Sequence, residues 1–412
     1  MSRSVRTLII AALALGFLAL IAGAVGAQTA RGALGQPDSL SFAAAREVAL
    51  GHYTGAMVSG MFNGGPRADL AIVNNTPAHA RGGTVTMVRE LNGRFGLVRA
   101  LKVPPFSSAI TAADVNRNGK LDLLLGTPDN AAQLFVNTAS VFLGAGNGTF
   151  GMPRTSGIGT EWRSPAPLLV ADVNGNHRVD LVTASAHKLV VMLGRGDCTF
   201  AARRMYVIDT MGFVRSLAVA DVNGDGKLDV VAGGQEGANT PVGTISVLLG
   251  NGHGAFGPAV TTTTGELLPH DLAIADLNRD GKRDLVVNDD ADLVDYGGGA
   301  NHAAIVVYSG NGDGTFTQAH EYDLSELGSG ALSLRDLDGD GNRDAVIVLN
   351  SGFDVLLGDG DGGFEAPVAI AHAHWTGDAR LAVADFNGDR KLDVAVSDLK
   401  TLSIFLNTSS TK

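Results

Sequence analysis

The sequence predicts an all-β fold: a seven-bladed β-propeller of four-stranded antiparallel blades, the last blade completed by the N-terminal strand. Three observations lead there. A nine-residue acidic loop recurs six times behind a worn seventh copy, at intervals of 49 to 60 residues, the length of one supersecondary unit. A glycine-rich turn ending in Phe alternates with that loop. The two ends of the chain carry complementary parts of one blade.

The first 27 residues stand outside this fold. Arg3 and Arg6 precede an apolar run from Leu8 to Val25, and small residues close it at Ala27. That is the layout of a secretory signal cleaved after Ala27. The run is also nearly long enough to act as an uncleaved anchor; on either reading the rest of the chain is exported. Residues 28–39 read as a linker, 40–407 as the propeller and 408–412 as a tail.

The loops read DVNRNGKLD (114–122), DVNGNHRVD (172–180), DVNGDGKLD (221–229), DLNRDGKRD (276–284), DLDGDGNRD (336–344) and DFNGDRKLD (385–393); the worn copy is MFNGGPRAD (61–69). Asp or Asn falls at positions one, three and five, a turn residue at six, and Asp at nine. Oxygens at alternate positions followed by a last carboxylate are how a short loop wraps a hard cation such as calcium.

Residues 217–265 show the whole unit. LAVAD is a short apolar strand running into the loop. LDVVAGG is mostly apolar, as expected of a strand covered on both faces. GTISVLLG follows after a turn-rich link, NGHG turns the chain, and AFGPAVTTTT alternates as an outer strand with one wet face. The turn recurs as LGAGNGTFG (143–151), LGRGDCTFA (193–201), LGNGHGAFG (249–257), SGNGDGTFT (309–317) and LGDGDGGFE (357–365), with LNGRFG (91–96) a shorter relative. Its Phe recurs once per unit, which marks a plug between neighbouring blades rather than a binding site.

The ends meet in register. TLSIFLN (401–407) is a third strand with no outer strand after it, and LSFAAAREVAL (40–50) is an outer strand with no blade before it. Pairing them leaves no open sheet edge at the seam. An open solenoid would want polar caps instead.

Composition narrows the chemistry. Cys198 is the only cysteine, so stability rests on packing, sheet and metal rather than a disulfide. It stands where sister turns have Gly. The net charge of −11 argues against a nucleic-acid partner, and 18 of the 42 acidic residues sit in the seven loops, so the acidity reads as cation demand. No nucleotide loop, nucleophile elbow or zinc-protease helix is present in the sequence.

Acidic loops alternating with "GTFG" turns over residues 40–407 resemble the FG-GAP/VCBS repeats of integrin alpha-subunit propellers and many secreted bacterial proteins. That resemblance implies calcium held by side chains at positions one, three, five and nine and the carbonyl of seven. Carried across, the implied ligands are Asp114, Asn116, Asn118 and Asp122; Asp172, Asn174, Asn176 and Asp180; Asp221, Asn223, Asp225 and Asp229; Asp276, Asn278, Asp280 and Asp284; Asp336, Asp338, Asp340 and Asp344; and Asp385, Asn387, Asp389 and Asp393. His177 and Arg390 occupy position six, where a positive backbone angle is expected. Met61, Gly65 and Pro66 disqualify the worn copy, so about four to six ions are expected. Such sites stiffen blades, since protein oxygens saturate the ion.

A partner is expected on the opposite face, where links break the repeat. The ligand-binding candidates there are Trp162, Arg163, Phe213, Arg215, His372, His374 and Trp375. Aromatic rings beside charged groups suit stacking on a sugar or capturing a peptide side chain, and the two Trp equally suit capping the channel. His372 and His374 alternate as a shared-metal pair would, or are ordinary loop residues. Asp289, Asp290, Asp292 and Asp295 form a further cation site or a solvated tip. The expected function is a secreted calcium-stabilised binding or adhesion module, non-catalytic, for glycan or extracellular protein, with no membrane span once the signal is gone. The alternatives are an extracellular polysaccharide lyase or hydrolase on that face, or a subunit whose partner supplies the chemistry.

Overall fold

The computed structural model describes residues 40–75, 83–105, 107–127, 138–159, 167–185, 187–208, 213–236, 242–265, 268–291, 302–324, 326, 330–372, 375 and 379–409. The signal and linker stretches, Trp162, Arg163, His374, Asp292 and Asp295 lie outside them. Among the described residues, 28 strands form seven four-stranded antiparallel sheets. No helix among them is long and apolar enough to cross a membrane.

After the N-terminal strand β1 (Arg46–Ala49), blade 1 comprises β2 (Tyr53–Gly60), β3 (Asp69–Asn75), β4 (Gly83–Leu91) and β5 (Arg94–Val103). Blade 2 comprises β6 (Ala109–Ala113), β7 (Asp122–Thr127), β8 (Thr138–Phe142) and β9 (Arg154–Gly157). In blade 3 they are β10 (Leu168–Ala171), β11 (Asp180–Ser185), β12 (Lys188–Met192) and β13 (Arg204–Val207). Blade 4 has β14 (Phe213–Ala220), β15 (Asp229–Glu236), β16 (Val242–Leu248) and β17 (Val260–Gly265). Blade 5 has β18 (Pro269–Ala275), β19 (Asp284–Ala291), β20 (His302–Gly310) and β21 (Phe316–Asp323). β22 (Leu332–Arg335), β23 (Asp344–Leu349), β24 (Gly352–Leu356) and β25 (Val368–Ala371) build blade 6. Blade 7 is β26 (Arg380–Ala384), β27 (Asp393–Asp398), β28 (Thr401–Phe405) and, as its outer strand, β1.

The first strand of each blade is innermost, and these seven are neighbours all the way round, β26 returning to β2. The ring is therefore closed. At the seam Glu47 faces Ser403 and Val48 faces Leu402, while Ala43 N–H donates to the Leu406 carbonyl and Thr408 N–H to that of Ser41. Regular pairing covers Arg46–Ala49 of the expected 40–50 strand; before it, Phe42 forms a single bridge with Asn407 and meets the Phe353 ring edge-on at 5.5 Å.

The core lies between blades rather than in one centre. Second strands such as β7, β11, β23 and β27 are buried throughout, which explains their unbroken apolar runs. Leu124 and Val141 of blade 2 pack with Leu181 and Val190 of blade 3. Phe200, Phe256 and Phe364 fill the gaps to the preceding blade, Phe256 against Tyr206 and Phe364 against Tyr322. Each Leu or Val buried this way contributes about 1.5–3 kcal/mol. Seven repeated contacts of this kind replace the disulfides that one cysteine cannot form.

Candidate functional site

On one face of the ring, the intact loops of blades 2 to 5 share one network, and those of blades 6 and 7 differ in that Asp336 and Asp385 accept from the Gly339 and Gly388 N–H groups at position four. In blade 4, Asp221 accepts from the Asp225 and Gly226 N–H groups, and Asn223 Oδ1 accepts from Asp225 N–H at 3.1 Å. Asp225 Oδ1 in turn accepts from Lys227 N–H at 3.0 Å. Position nine acts over a longer range. Asp229 Oδ2 accepts from Val222 N–H at 3.0 Å and its Oδ1 from Gly250 N–H at 2.7 Å, so it ties the loop to the turn before the outer strand. Asp122, Asp180, Asp284 and Asp344 do the same through Gly144, Gly194, Gly310 and Gly358, and Asp393 through Asn407. The glycine is required by close approach: a Cβ on Gly250 would lie 2.0 Å from the Leu228 carbonyl oxygen.

His177 (φ 63°) and Arg390 (φ 70°) both take up the left-handed angle at position six, so neither substitution stops its loop from forming. Cys198 does likewise in its turn (φ 68°) and is buried. Position four is left-handed too, with Arg117 and Arg279 among five glycines; the sequence reading did not anticipate this.

The donor set fits a hard cation best in blade 6. Asp336, Asp338 and Asp340 bring carboxylate oxygens within 4.8 Å of one another, the one such cluster among the described residues. Burial, followed by the charges of Asp338 and Asp340, pushes Asp344 up to about 7 against the pull of its two N–H donors. Burial likewise pushes Asp180 and Asp393 up to about 6. In blade 1, Arg89 Nε and Nη2 grip both oxygens of the fully buried Asp69 at 2.7 and 3.1 Å, and Asn63 Nδ2 donates to the same carboxylate. Arg67 pairs with Glu90 beside it.

The opposite face carries a cavity of about 660 Å³ at the seam. His372 and Trp375, both from the link between blades 6 and 7, stack at 4.8 Å and 25°. Trp375 is buried in the core between those blades and also lines the cavity. Tyr53 comes from the start of β2, and Lys400 Nζ sits 4.9 Å over its ring. Glu47, placed by the seam pairing, faces His372 Nε2 at 3.0 Å and accepts from Ser403 Oγ at 3.1 Å. Asp398 completes the wall.

Of the nominated ligand-face residues, the structure thus brings His372 and Trp375 together. Arg215 belongs elsewhere: it donates to Gln235 Oε1 at 2.7 Å, near His270, which burial, followed by the charges of Arg215 and Arg380, pulls down to about 4. The Phe213 side chain falls outside the described set. Sequence reasoning missed Glu47, Tyr53, Asp398 and Lys400. The signal was present, since the predicted seam already set β1 beside β28.

A family model described as an FG-GAP-like repeat matches residues 172–232 and 336–396. No curated protein matches the chain by sequence. Among solved structures, the chain is similar to a lectin from Agrocybe aegerita described as recognising non-reducing terminal N-acetylglucosamine (20% identity, 84% of this chain and 87% of that one, TM-score 0.51). It is also similar to the BP39L lectin of Burkholderia pseudomallei (13% identity, 88% and 99%, TM-score 0.58). A third is a protein from Lactobacillus plantarum (13% identity, 78% and 86%, TM-score 0.53). At these identities the likeness is one of fold. With matched repeats in blades 3, 4, 6 and 7 and the ring closed at β1, the chain is a seven-bladed β-propeller that carries FG-GAP-like repeats.

Proposed function

We propose that this propeller is an exported binding module for glycans, stiffened by calcium in its acidic loops, and that it takes sugar in the seam cavity between blades 7 and 1. The observation that carries this reading is the wall of that cavity. A stacked His372–Trp375 pair and the Tyr53 ring lie beside Glu47, Asp398, Lys400 and Ser403. Aromatic faces cover the apolar side of a sugar ring while a few fixed polar groups orient its hydroxyls. Two of the similar propellers are lectins, which supports the same reading.

Calcium is supported by the gathered carboxylates of blade 6 and by the burial of Asp344, which a cation would offset. The proposed ions hold the loops from the face opposite the cavity and take no part in sugar contact. The layout of residues 1–27 supports export.

A hydrolase reading has one observation in its favour, the two carboxylates Glu47 and Asp398 in one cavity, because glycoside cleavage uses such a pair. Binding is favoured because Glu47 already faces His372 and accepts from Ser403. A glycan array followed by calorimetry separates the two. Wild type binds a defined sugar without releasing new reducing ends, and Tyr53→Ala and Glu47→Gln each weaken binding at least about tenfold. Unchanged binding in both variants overturns the assignment; release of reducing ends that Glu47→Gln abolishes establishes the hydrolase.

A further inference from the structure

Aligning the seven units against one another exposes a local exception in blades 5 and 6. At loop position eight the units carry Ala68, Leu121, Val179, Leu228 and Leu392, but Arg283 and Arg343 in these two neighbours. Just before the loop stand Gly60, Ala113, Ala171, Ala220, Ala275 and Ala384, but Arg335 in blade 6. In the sister blades the position-eight side chain packs into the core: Leu121, Leu228 and Leu392 all lie against apolar clusters. An Arg there gives up that packing.

The exceptions converge. Arg283, Arg335 and Arg343 line one cavity of about 380 Å³ between blades 5 and 6 on the loop face, and Arg279 closes its rim. Arg279 sits at position four with φ 58°, in the left-handed region, and donates to Asn342 Oδ1 at 2.8 Å. Among the described residues none of the four makes an ion pair with a carboxylate. The single carboxylate on the wall, Asp276, already accepts from the Asp280 and Gly281 N–H groups. All four arginines are solvent-exposed, so their forked donors are open to a solute at one cavity.

We infer that this inter-blade cavity is an anion-binding site, built for a sulfate, phosphate or carboxylate group held by the forked donors of Arg283, Arg335 and Arg343. Guanidinium matches such oxyanions bidentately. The site is separate from the seam cavity, lies on the other face, and does not rest on the glycan reading.

The repeat itself supplies the test variant. Arg283→Leu, Arg335→Ala and Arg343→Leu together restore what sister blades carry, so the fold is kept, and the ligand-free melt reports that directly. Calorimetry of the full chain at low salt uses inorganic sulfate, inorganic phosphate and a sulfated disaccharide as probes, with calcium held constant. Wild type binds at least one probe at one site, more weakly as salt rises, and the triple variant binds at least about tenfold more weakly. A disaccharide preferred tenfold over free sulfate marks a sugar substituent as the source, and equal affinity marks the free ion. Removing three cations from the outer strand of blade 1 (Arg94→Ala, Arg99→Ala, Lys102→Ala) leaves binding intact. The inference is overturned if wild type binds none of the probes, if the triple variant binds as well as wild type, or if the blade 1 variant loses affinity equally.

Discussion

Asp344 accepts two backbone N–H bonds and still sits near 7, because desolvation and two neighbouring carboxylates outweigh those donors. A carboxyl whose folded value is raised above its unfolded one stabilises the fold while protonated. That contribution is present below about 4 and is lost as pH rises through about 6 to 7 for Asp180, Asp393 and Asp344. A bound cation reverses the sign, since the ionised form then holds the ion. Asp69 occupies the equivalent position in blade 1 and meets a permanent cation, Arg89, where the other units have Leu143, Leu193, Leu249, Ser309, Leu357 and Leu406. Arg89→Leu leaves Asp69 buried without its partner and lowers stability by about 2–5 kcal/mol. Chemical denaturation gives the same decrement in calcium and in chelator; a decrement that calcium restores would show that the worn loop binds an ion after all.

At the scale of the hairpin, the aspartate at position nine and the glycine it reaches form one device joining the acidic loop to the next turn. Gly250→Ala drives a Cβ into the Leu228 carbonyl, with an expected loss of about 1–3 kcal/mol. Gly93→Ala has nothing within 4 Å to meet, so any cost there comes from its left-handed angle alone. Equal melting of Gly250→Ala and wild type would count against the device. Much of this element was legible in the sequence. The alternation of two motifs marked the strands, and the recurring Phe marked the inter-blade plugs at Phe200, Phe256 and Phe364. The pairing of Arg89 with Asp69 was not legible, because Arg89 lies 20 residues from Asp69 and only strand pairing brings them together. The left-handed angle at position four was masked by the abundance of glycine.

For the whole ring, closure was legible in the register of the two ends, and that same closure sets Glu47 beside Ser403 and Tyr53 beside Lys400. The seam cavity was missed because its residues come from β1, β2, the link between blades 6 and 7 and the β27–β28 hairpin and form no local pattern; Trp162 and Trp375 drew attention as rare residues, and Trp375 is core. The arginine cavity was missed for another reason: each Arg is ordinary alone and exceptional only against its six counterparts. The ring as a whole is expected to depend on loop chemistry repeated in six blades, with Arg89 serving the seventh. The most direct test is the melting temperature of the full chain across pH 5 to 7.5, in saturating calcium and in chelator. The account predicts a higher melt in calcium at pH 7.5, by an amount that grows with free calcium, and a chelated protein that loses stability as pH rises while the calcium form gains it. Identical melts in calcium and chelator over that range would contradict it.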